Sequence, residues 1–280
     1  MRLRPYRLPL QLGLITILIF SVPIGSGSGA TSPAVDACLA HSGQITALTV
    51  PSAIYKHSIR VNVYLPPCYE SSTGLLPAIY LLHGGGADET QWPDLRVQPE
   101  ADALIASSVQ PFVVVMPGGS YGAGIDYAAF VLDELIPTMS RQLHVRSDPA
   151  GRAIGGLSLG GYWALSAAFH HPDLFAAVGG YSPVVAGASD DLVSLARTAA
   201  GLDRLRIALD VGDADPLAAG TQRLVEALRL RGLSVSSTIN SGGHNRPYWR
   251  SHTYDYLSFM TASFTSPTHR PGCHSEFMNE

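Results

Sequence analysis

The sequence predicts an α/β protein with one folded domain, built on a mostly parallel, doubly wound sheet that starts with an antiparallel hairpin. After residue 43, short apolar runs alternate with segments of helical periodicity. Several runs are almost continuously apolar, as in strands buried on both faces of a parallel sheet. The 280 residues are 46% hydrophobic and 14% charged, with no internal repeat. This composition excludes a disordered, collagen-like or coiled-coil chain.

The first predicted element is a hairpin, with strands at residues 45–50 and 58–65 and a turn near 53–57. A hairpin brings together the residues that precede and follow it. We therefore predict a disulfide between Cys38 and Cys68, with three unpaired thiols as the alternative. Cys273 lies in a polar C-terminal segment, and we expect it to be free or intermolecular.

Six further strands and four helices follow from the pattern of apolar residues. Pro137 is expected to kink the first helix because proline has no amide hydrogen and its ring clashes with the preceding turn. The strands are expected at residues 78–82, 112–116, 152–156, 175–180, 206–211 and 234–240, and the helices at 128–139, 159–170, 221–228 and 256–264.

The N-terminus has the pattern of a targeting segment. Three arginines in the first seven residues precede an uncharged apolar run, and small residues follow it. We expect export to the periplasm, the cell envelope or the medium, with no stable membrane span after processing and a retained anchor as the alternative. The predicted divisions are a signal peptide at 1–30, an N-terminal arm at 31–43, the folded domain at 44–265 and a flexible tail at 266–280.

A candidate nucleophile lies between a predicted strand and a predicted helix. Residues 156–160 read Gly-Leu-Ser-Leu-Gly, which is the G-x-S-x-G pattern. A strand-to-helix turn of this kind strains the serine backbone and exposes its hydroxyl at the carboxyl edge of the sheet. A Cβ at 156 or 160 is expected to clash with neighbouring backbone. The pattern therefore indicates Ser158 as a nucleophile.

A second glycine-rich turn is placed to stabilise negative charge. His-Gly-Gly-Gly at residues 83–86 ends the predicted strand 78–82. Such a turn supplies backbone N–H groups opposite the N–H of the residue after the nucleophile, here Leu159. A phosphate-binding loop is the alternative, but the segment lacks both the Lys-Ser/Thr ending and the G-x-G-x-x-G spacing.

The candidate base is His244, in a Gly-Gly-His loop between the last strand and the last helix. The chain order of such sites is serine, acid, histidine. Asp210, Asp213 and Asp215 all lie at the end of the strand 206–211, where the acid is expected. Asp215 has a helix-capping role as its alternative. The histidines show no ligand spacing, so we expect neither a metal nor a cofactor.

Together these residues resemble the esterase D/antigen 85-like family of α/β-hydrolases, which includes feruloyl esterases, S-formylglutathione hydrolases and mycolyltransferases. The resemblance runs from about residue 60 to 259. It implies the α/β-hydrolase fold, Asp215 as the acid, and Gly85 and Leu159 as the oxyanion donors. It rests on V-Y-L-P-P at 63–67, Y-L-L-H-G at 80–84 with Trp92, D-E-L-I-P at 133–137, G-G-L-S-L-G-G at 155–161, D-V-G at 210–212, and G-H at 243–244 with Tyr248 and Trp249.

The expected function is that of an exported serine carboxylesterase acting on small or carbohydrate-linked acyl esters through an acyl-enzyme. An acyltransferase of the mycolyltransferase type and a non-catalytic binding module are the alternatives. Trp92, Tyr121 and Trp249 are candidates for the substrate pocket, with ordinary packing as their other role. The net charge of −4, with no basic run after the first seven residues, argues against a nucleic-acid partner. The oligomeric state is not predicted.

Overall fold

The computed structural model describes residues 41–72, 74–185 and 191–264. Within them, eight strands form one sheet in the order β1-β2-β4-β3-β5-β6-β7-β8. The β1–β2 and β2–β4 pairs are antiparallel and all other pairs are parallel, which confirms the predicted fold class. The strands are β1 (Gln44–Ser52), β2 (His57–Leu65), β3 (Ala78–Leu82), β4 (Val113–Pro117), β5 (Arg152–Leu157), β6 (Ala177–Tyr181), β7 (Arg206–Gly212) and β8 (Val235–Asn240).

Helices cover both faces of the sheet. One face carries α3 to α7 with the π segment π1, and the other carries α1, α2 and α8. Alternate residues of β3 enter the two cores, with Tyr80 on the first face and Ile79 and Leu81 on the second. The helices are α1 (Gln91–Asp94), α2 (Val97–Ala106), α3 (Tyr127–Ala129), π1 (Phe130–Leu135), α4 (Ile136–Gln142), α5 (Leu159–His170), α6 (Leu192–Thr198), α7 (Ala218–Leu230) and α8 (Arg246–Thr261).

The hairpin turn is fixed by the carboxylate of Glu134, which belongs to the D-E-L-I-P motif at 133–137. Glu134 accepts hydrogen bonds from the Ser52 hydroxyl and from the backbone N–H groups of Ala53, at 2.9 Å, and Ile54, at 3.3 Å. These bonds satisfy the backbone of a turn that no neighbouring strand covers. The hairpin therefore forms where predicted and is tied to the first core.

Four predictions fall on residues outside the described ranges. Cys38 lies there, so the Cys38–Cys68 disulfide stays a prediction. Cys273 lies there as well, with the leader at 1–30 and the tail at 266–280. Among the helices that the structure describes, none is long and apolar enough to cross a membrane.

The helix around Pro137 changes its hydrogen-bonding pattern before the proline. Residues Phe130–Leu135 are π-helical, and the Ile136 N–H donates to the Val131 carbonyl, five residues back. Pro137 then occupies the first turn of α4, where a missing N–H costs little. The expected disturbance by Pro137 thus takes the form of a π segment.

The last helix begins much earlier than the sequence prediction of residue 256. Helix α8 starts at Arg246, directly after Asn245, whose side chain accepts the Tyr248 N–H at 3.1 Å. His252 consequently lies in the middle of this helix. Pro247 in the first turn hid this boundary, although proline is favoured there. The early start places the helix immediately after His244.

Strand order sets the position of the site. The chain passes from β3 outward to β4 and returns to β5 on the other side of β3. A crevice therefore opens outside the carboxyl ends of β3 and β5, where open α/β sheets bind their ligands. The turn at 83–86 follows β3 and Ser158 follows β5, so both lie at this crevice.

Candidate active site

Ser158 occupies a sharp turn between β5 and α5. Its backbone angles, φ 54° and ψ −115°, fall in a region that residues other than glycine rarely adopt. The turn is held from the neighbouring strand, because Ser158 N–H donates to the Tyr181 carbonyl at 2.9 Å and Val184 N–H donates to the Ser158 carbonyl at 3.0 Å. Such strain costs about 1–3 kcal/mol and persists where the surrounding backbone imposes it.

The two glycines of the motif allow close backbone contacts on both sides of the turn. A Cβ built on Gly156 would lie 2.4 Å from the backbone of Gly160. A Cβ built on Gly160 would lie 2.2 Å from the carbonyl oxygen of His83. A side chain at either position would therefore clash, as expected. The close contact at Gly160 holds the nucleophile turn against the turn after β3.

The structure brings Ser158, His244 and Asp215 into one hydrogen-bonded row. The Nε2 atom of His244 lies 3.0 Å from Ser158 Oγ, and its Nδ1 atom lies 2.9 Å from Asp215 Oδ2. The Asp215 side chain is fully buried, whereas that of His244 is 28% exposed. Because a carboxylate only accepts, Nδ1 carries the proton and the Nε2 lone pair faces the hydroxyl. The geometry suits the predicted base and acid, whose catalytic roles stay predictions.

Asp215 also has the capping contact that was its alternative role. Its second oxygen, Oδ1, accepts the Leu217 N–H at 2.8 Å just before α7. The two contacts use different oxygens and do not compete. The hydrogen bond from Leu217 fixes the plane of the carboxylate, and it thereby orients Oδ2 toward the imidazole.

Asp213 joins the two loops that carry the acid and the histidine. Its carboxylate accepts the Gly242 N–H at 3.0 Å, and its own N–H donates to the Asn240 carbonyl at 2.8 Å. Ala214 N–H donates to the Gly242 carbonyl at 2.8 Å. A Cβ on Gly212 would lie 2.2 Å from that same carbonyl, so the loops pack backbone to backbone.

Asp210, the third candidate acid, points into the core on the α8 side. It is 4% exposed. Burial, followed by the negative charge and hydrogen bond of Asp210, raises the pKa of Tyr256 far above its usual value. Asp210 therefore anchors α8, a role that the sequence analysis missed and that its position inside an apolar strand indicates. Its carboxylate accepts hydrogen bonds from Thr238 at 2.7 Å, Asn240 at 3.2 Å, Tyr248 at 3.0 Å and Tyr256 at 2.7 Å.

Two backbone donors, one in the turn after β3 and one at the start of α5, lie at the cleft without an acceptor among the described residues. Gly84 N–H is occupied, because it donates to Gln91 Oε1 at 2.7 Å. Gly85 and Leu159 donate their N–H groups to no acceptor within residues 41–72, 74–185 and 191–264. A Cβ on Gly85 would lie 3.6 Å from the Leu159 side chain, so the two residues adjoin. This arrangement suits the predicted oxyanion donors.

Two of the three aromatic residues proposed for the substrate pocket, Trp92 and Trp249, are almost fully buried. Trp92 is 1% exposed, and its indole N–H donates to the Leu82 carbonyl at 3.0 Å. It is therefore a core residue, and the expectation that it lines an open pocket is corrected. The apolar contacts of Trp92 come from the second core and not from the cleft.

Trp249 packs against His244, and Tyr121 packs against the turn after β3. Trp249 is 6% exposed, and its ring meets the His244 ring edge-on with 4.9 Å between centroids. Tyr121 is half-buried, and its hydroxyl donates to the His83 carbonyl while the two rings lie 4.7 Å apart. Trp249 thus fixes the imidazole and Tyr121 supports the glycine-rich turn.

The arrangement holds a hydroxyl, an imidazole, a buried carboxylate and two backbone donors in one crevice. Among the described residues, no group of three or more His, Cys, Asp or Glu side chains is placed to hold a metal ion. The chemistry that these groups can perform without other components is nucleophilic acyl transfer with general base assistance.

Comparison with known families and proteins agrees with this chemistry. A family described as "Putative esterase" matches residues 52–259 of the chain. An endo-1,4-beta-xylanase/feruloyl esterase from Xylanibacter ruminicola is 30% identical over 209 residues, which is 68% of this chain and 27% of that protein. An esterase from Mycobacterium tuberculosis is 29% identical over 133 residues, covering 44% of this chain and 28% of its own length.

The chain therefore spans little more than a quarter of the length of these two relatives. Among solved structures, a ferulic acid esterase superposes with a TM-score of 0.75 at 26% sequence identity. That match covers 80% of this chain and 99% of the other. Nearly the whole of the solved esterase is thus represented in the chain.

Proposed function

The chain belongs to the esterase family that matches residues 52–259, and on this basis we propose that it is an exported serine carboxylesterase. The observation that carries the proposal is the row Ser158–His244–Asp215, with contacts of 3.0 and 2.9 Å. The N–H groups of Gly85 and Leu159, which have no acceptor in the described part of the chain, support it, because an acyl-transfer site needs donors for the developing oxyanion. Export rests on the arginines and apolar run at the N-terminus.

The first half of the reaction forms an acyl-enzyme. His244 Nε2 takes the hydroxyl proton while Ser158 Oγ bonds to the acyl carbon, and the carbonyl electron pair moves onto oxygen. The N–H groups of Gly85 and Leu159 hold that oxyanion. As the tetrahedral intermediate collapses, the imidazolium gives its proton to the alkoxy oxygen, the C–O bond breaks and the alcohol leaves.

The second half repeats these steps with water. His244 removes a proton from water as its oxygen attacks the acyl carbon, and the proton then passes to Ser158 Oγ as the acid is released. Asp215 stabilises the imidazolium in both halves. Its carboxylate is fully buried, so its attraction for the imidazolium is screened less than that of a surface pair.

We propose that the substrates are esters in which an aromatic or small acid is joined to a carbohydrate. The relatives named feruloyl esterase and ferulic acid esterase support this class. Methyl ferulate, a feruloylated xylo-oligosaccharide and p-nitrophenyl acetate form a series that separates acyl recognition from recognition of the alcohol.

The test compares the purified wild type with Ser158→Ala and with Ser140→Ala, which removes a hydroxyl bonded to the Ile136 carbonyl within α4. We expect Ser158→Ala to lose about 10³-fold or more in kcat/KM and Ser140→Ala to stay within about twofold. Ester hydrolysis retained by Ser158→Ala would exclude the mechanism. Conversion of the product from acid to a new ester on adding a sugar acceptor would favour a transferase instead.

A further inference from the structure

Gln91 joins helix α1 to the turn that supplies the oxyanion donor, and neither the sequence motifs nor the catalytic row accounts for it. Its Oε1 accepts the Gly84 N–H at 2.7 Å. Gly84 directly precedes Gly85, whose N–H has no acceptor among the described residues. We propose that Gln91 is a positioning residue of the oxyanion hole, which fixes the Gly84 peptide so that the Gly85 N–H stays aimed into the cleft.

The helix that carries Gln91 is itself firmly attached. Trp92, the next residue, is buried and its indole N–H donates to the Leu82 carbonyl at 3.0 Å, one residue before the His83 turn. At the other end of the helix, Asp94 pairs with Arg246 of α8 at 3.0 Å. Gln91 therefore reaches Gly84 from a fixed frame and not from a freely moving loop.

The orientation of the amide explains why a glutamine suits this position better than a carboxylate. Because Oε1 faces an N–H, the donor Nε2 faces the other way. Nε2 and the Ser158 Cβ both lie 3.6 Å from the Cβ position built on Gly84. The amide therefore lies close to the nucleophile turn, and a carboxylate at this position would place negative charge near the site where the oxyanion forms.

The experiment replaces Gln91 with Met, which has similar length but no strong acceptor. The matched control is Gln98→Met on α2, where the amide also bonds to backbone, donating to the Gly43 carbonyl at 2.8 Å. Both variants are assayed with an aryl ester and with its thionoester, in which sulfur replaces the carbonyl oxygen. Sulfur is a weak hydrogen-bond acceptor, so the ratio of the two rates reports on the oxyanion donors specifically.

We expect Gln91→Met to lower kcat for the oxygen ester by about tenfold to a hundredfold, with KM within threefold. The thionoester should lose much less, so the rate ratio falls, while Gln98→Met keeps the wild-type ratio. An unchanged ratio in folded Gln91→Met would overturn the proposal, and so would an equal change in Gln98→Met.

A second variant keeps the test decisive if Gln91→Met does not fold. Gln91→Glu retains an acceptor for the Gly84 N–H. Its negative charge destabilises the anions formed from the oxygen ester and from the thionoester to a similar extent. It should therefore keep the wild-type ratio while lowering both rates. A fall in its ratio would contradict the proposal. The inference rests on the proposed esterase function, whose failure would instead show as a wild type without ester hydrolysis.

Discussion

Replacing Gly160 with Ala should damage activity more than stability, because the added methyl group pushes on the oxyanion turn. The new Cβ would lie 2.2 Å from the His83 carbonyl oxygen and 2.6 Å from that of Leu82. Real Cβ atoms essentially never approach closer than 3.0 Å, so this backbone must retreat by about 0.8 Å. His83 is two residues before Gly85. A displacement of about 1 Å in a reacting group costs on the order of a hundredfold in rate, whereas overpacking costs about 1–3 kcal/mol of stability.

The assay pairs kcat/KM for p-nitrophenyl acetate with thermal unfolding. We expect a loss on the order of a hundredfold in kcat/KM and a Tm lower by roughly 5 °C. Gly220→Ala is the matched control, because its Cβ would meet Val185 at an ordinary 3.5 Å in the first turn of α7. Alanine is favoured over glycine in a helix, so this control should keep full activity. Wild-type kinetics in a folded Gly160→Ala would refute the reasoning.

Four further outcomes are expected. Asp215→Asn should lower kcat by about 10³- to 10⁴-fold, measured by steady-state kinetics, because it no longer selects the imidazole tautomer. Asp213→Ala should lower kcat only about tenfold in the same assay, since it loses one exposed contact to Gly242. Tyr256→Phe should lower the urea-derived free energy of unfolding by about 1.5–3 kcal/mol, because it removes a buried hydrogen bond to a carboxylate. Burial raises the pKa of Tyr80 to about 12, so the folded chain keeps this proton after the unfolded chain loses it. Tyr80 alone should therefore lower the equilibrium free energy of unfolding by about 1.4 kcal/mol per pH unit between pH 10 and 12 and not below pH 10, measured as the difference in slope between the wild type and Tyr80→Phe.

The strands were predictable because their signal is local. Each observed strand begins and ends within two residues of the predicted span, since continuous apolar runs bounded by glycine and proline identify buried parallel strands. The order of β3 and β4 in the sheet was not predictable in the same way. It depends on which strand edges pair across long segments, which composition does not encode.

The short elements around the site were missed for a related reason. Helix α1 has four residues and α6 has seven, too short for a periodic pattern. Gln91 carried no signal in the sequence, because a glutamine near a tryptophan is unremarkable until the fold places its amide against Gly84. The start of α8 was missed because Pro247 was not recognised as a first-turn residue.

The cluster of three aspartates shows how sequence position and role separate. Spacing alone left Asp210, Asp213 and Asp215 open as the acid. In the structure, Asp215 contacts the imidazole, Asp213 holds the histidine loop and Asp210 anchors α8. Side-chain direction decides among them, and it follows from the strand ending at Gly212 and the turn that begins there.

The claim that Ser158 is a nucleophile activated by His244 is tested most directly by covalent labelling. The purified protein is treated with a fluorophosphonate, digested and mapped by mass spectrometry, alongside His244→Ala. We predict one adduct, on the peptide that contains Ser158, and labelling slower by at least about 10³-fold in the histidine variant. An adduct on a different residue, or equally fast labelling without the imidazole, would contradict the mechanism.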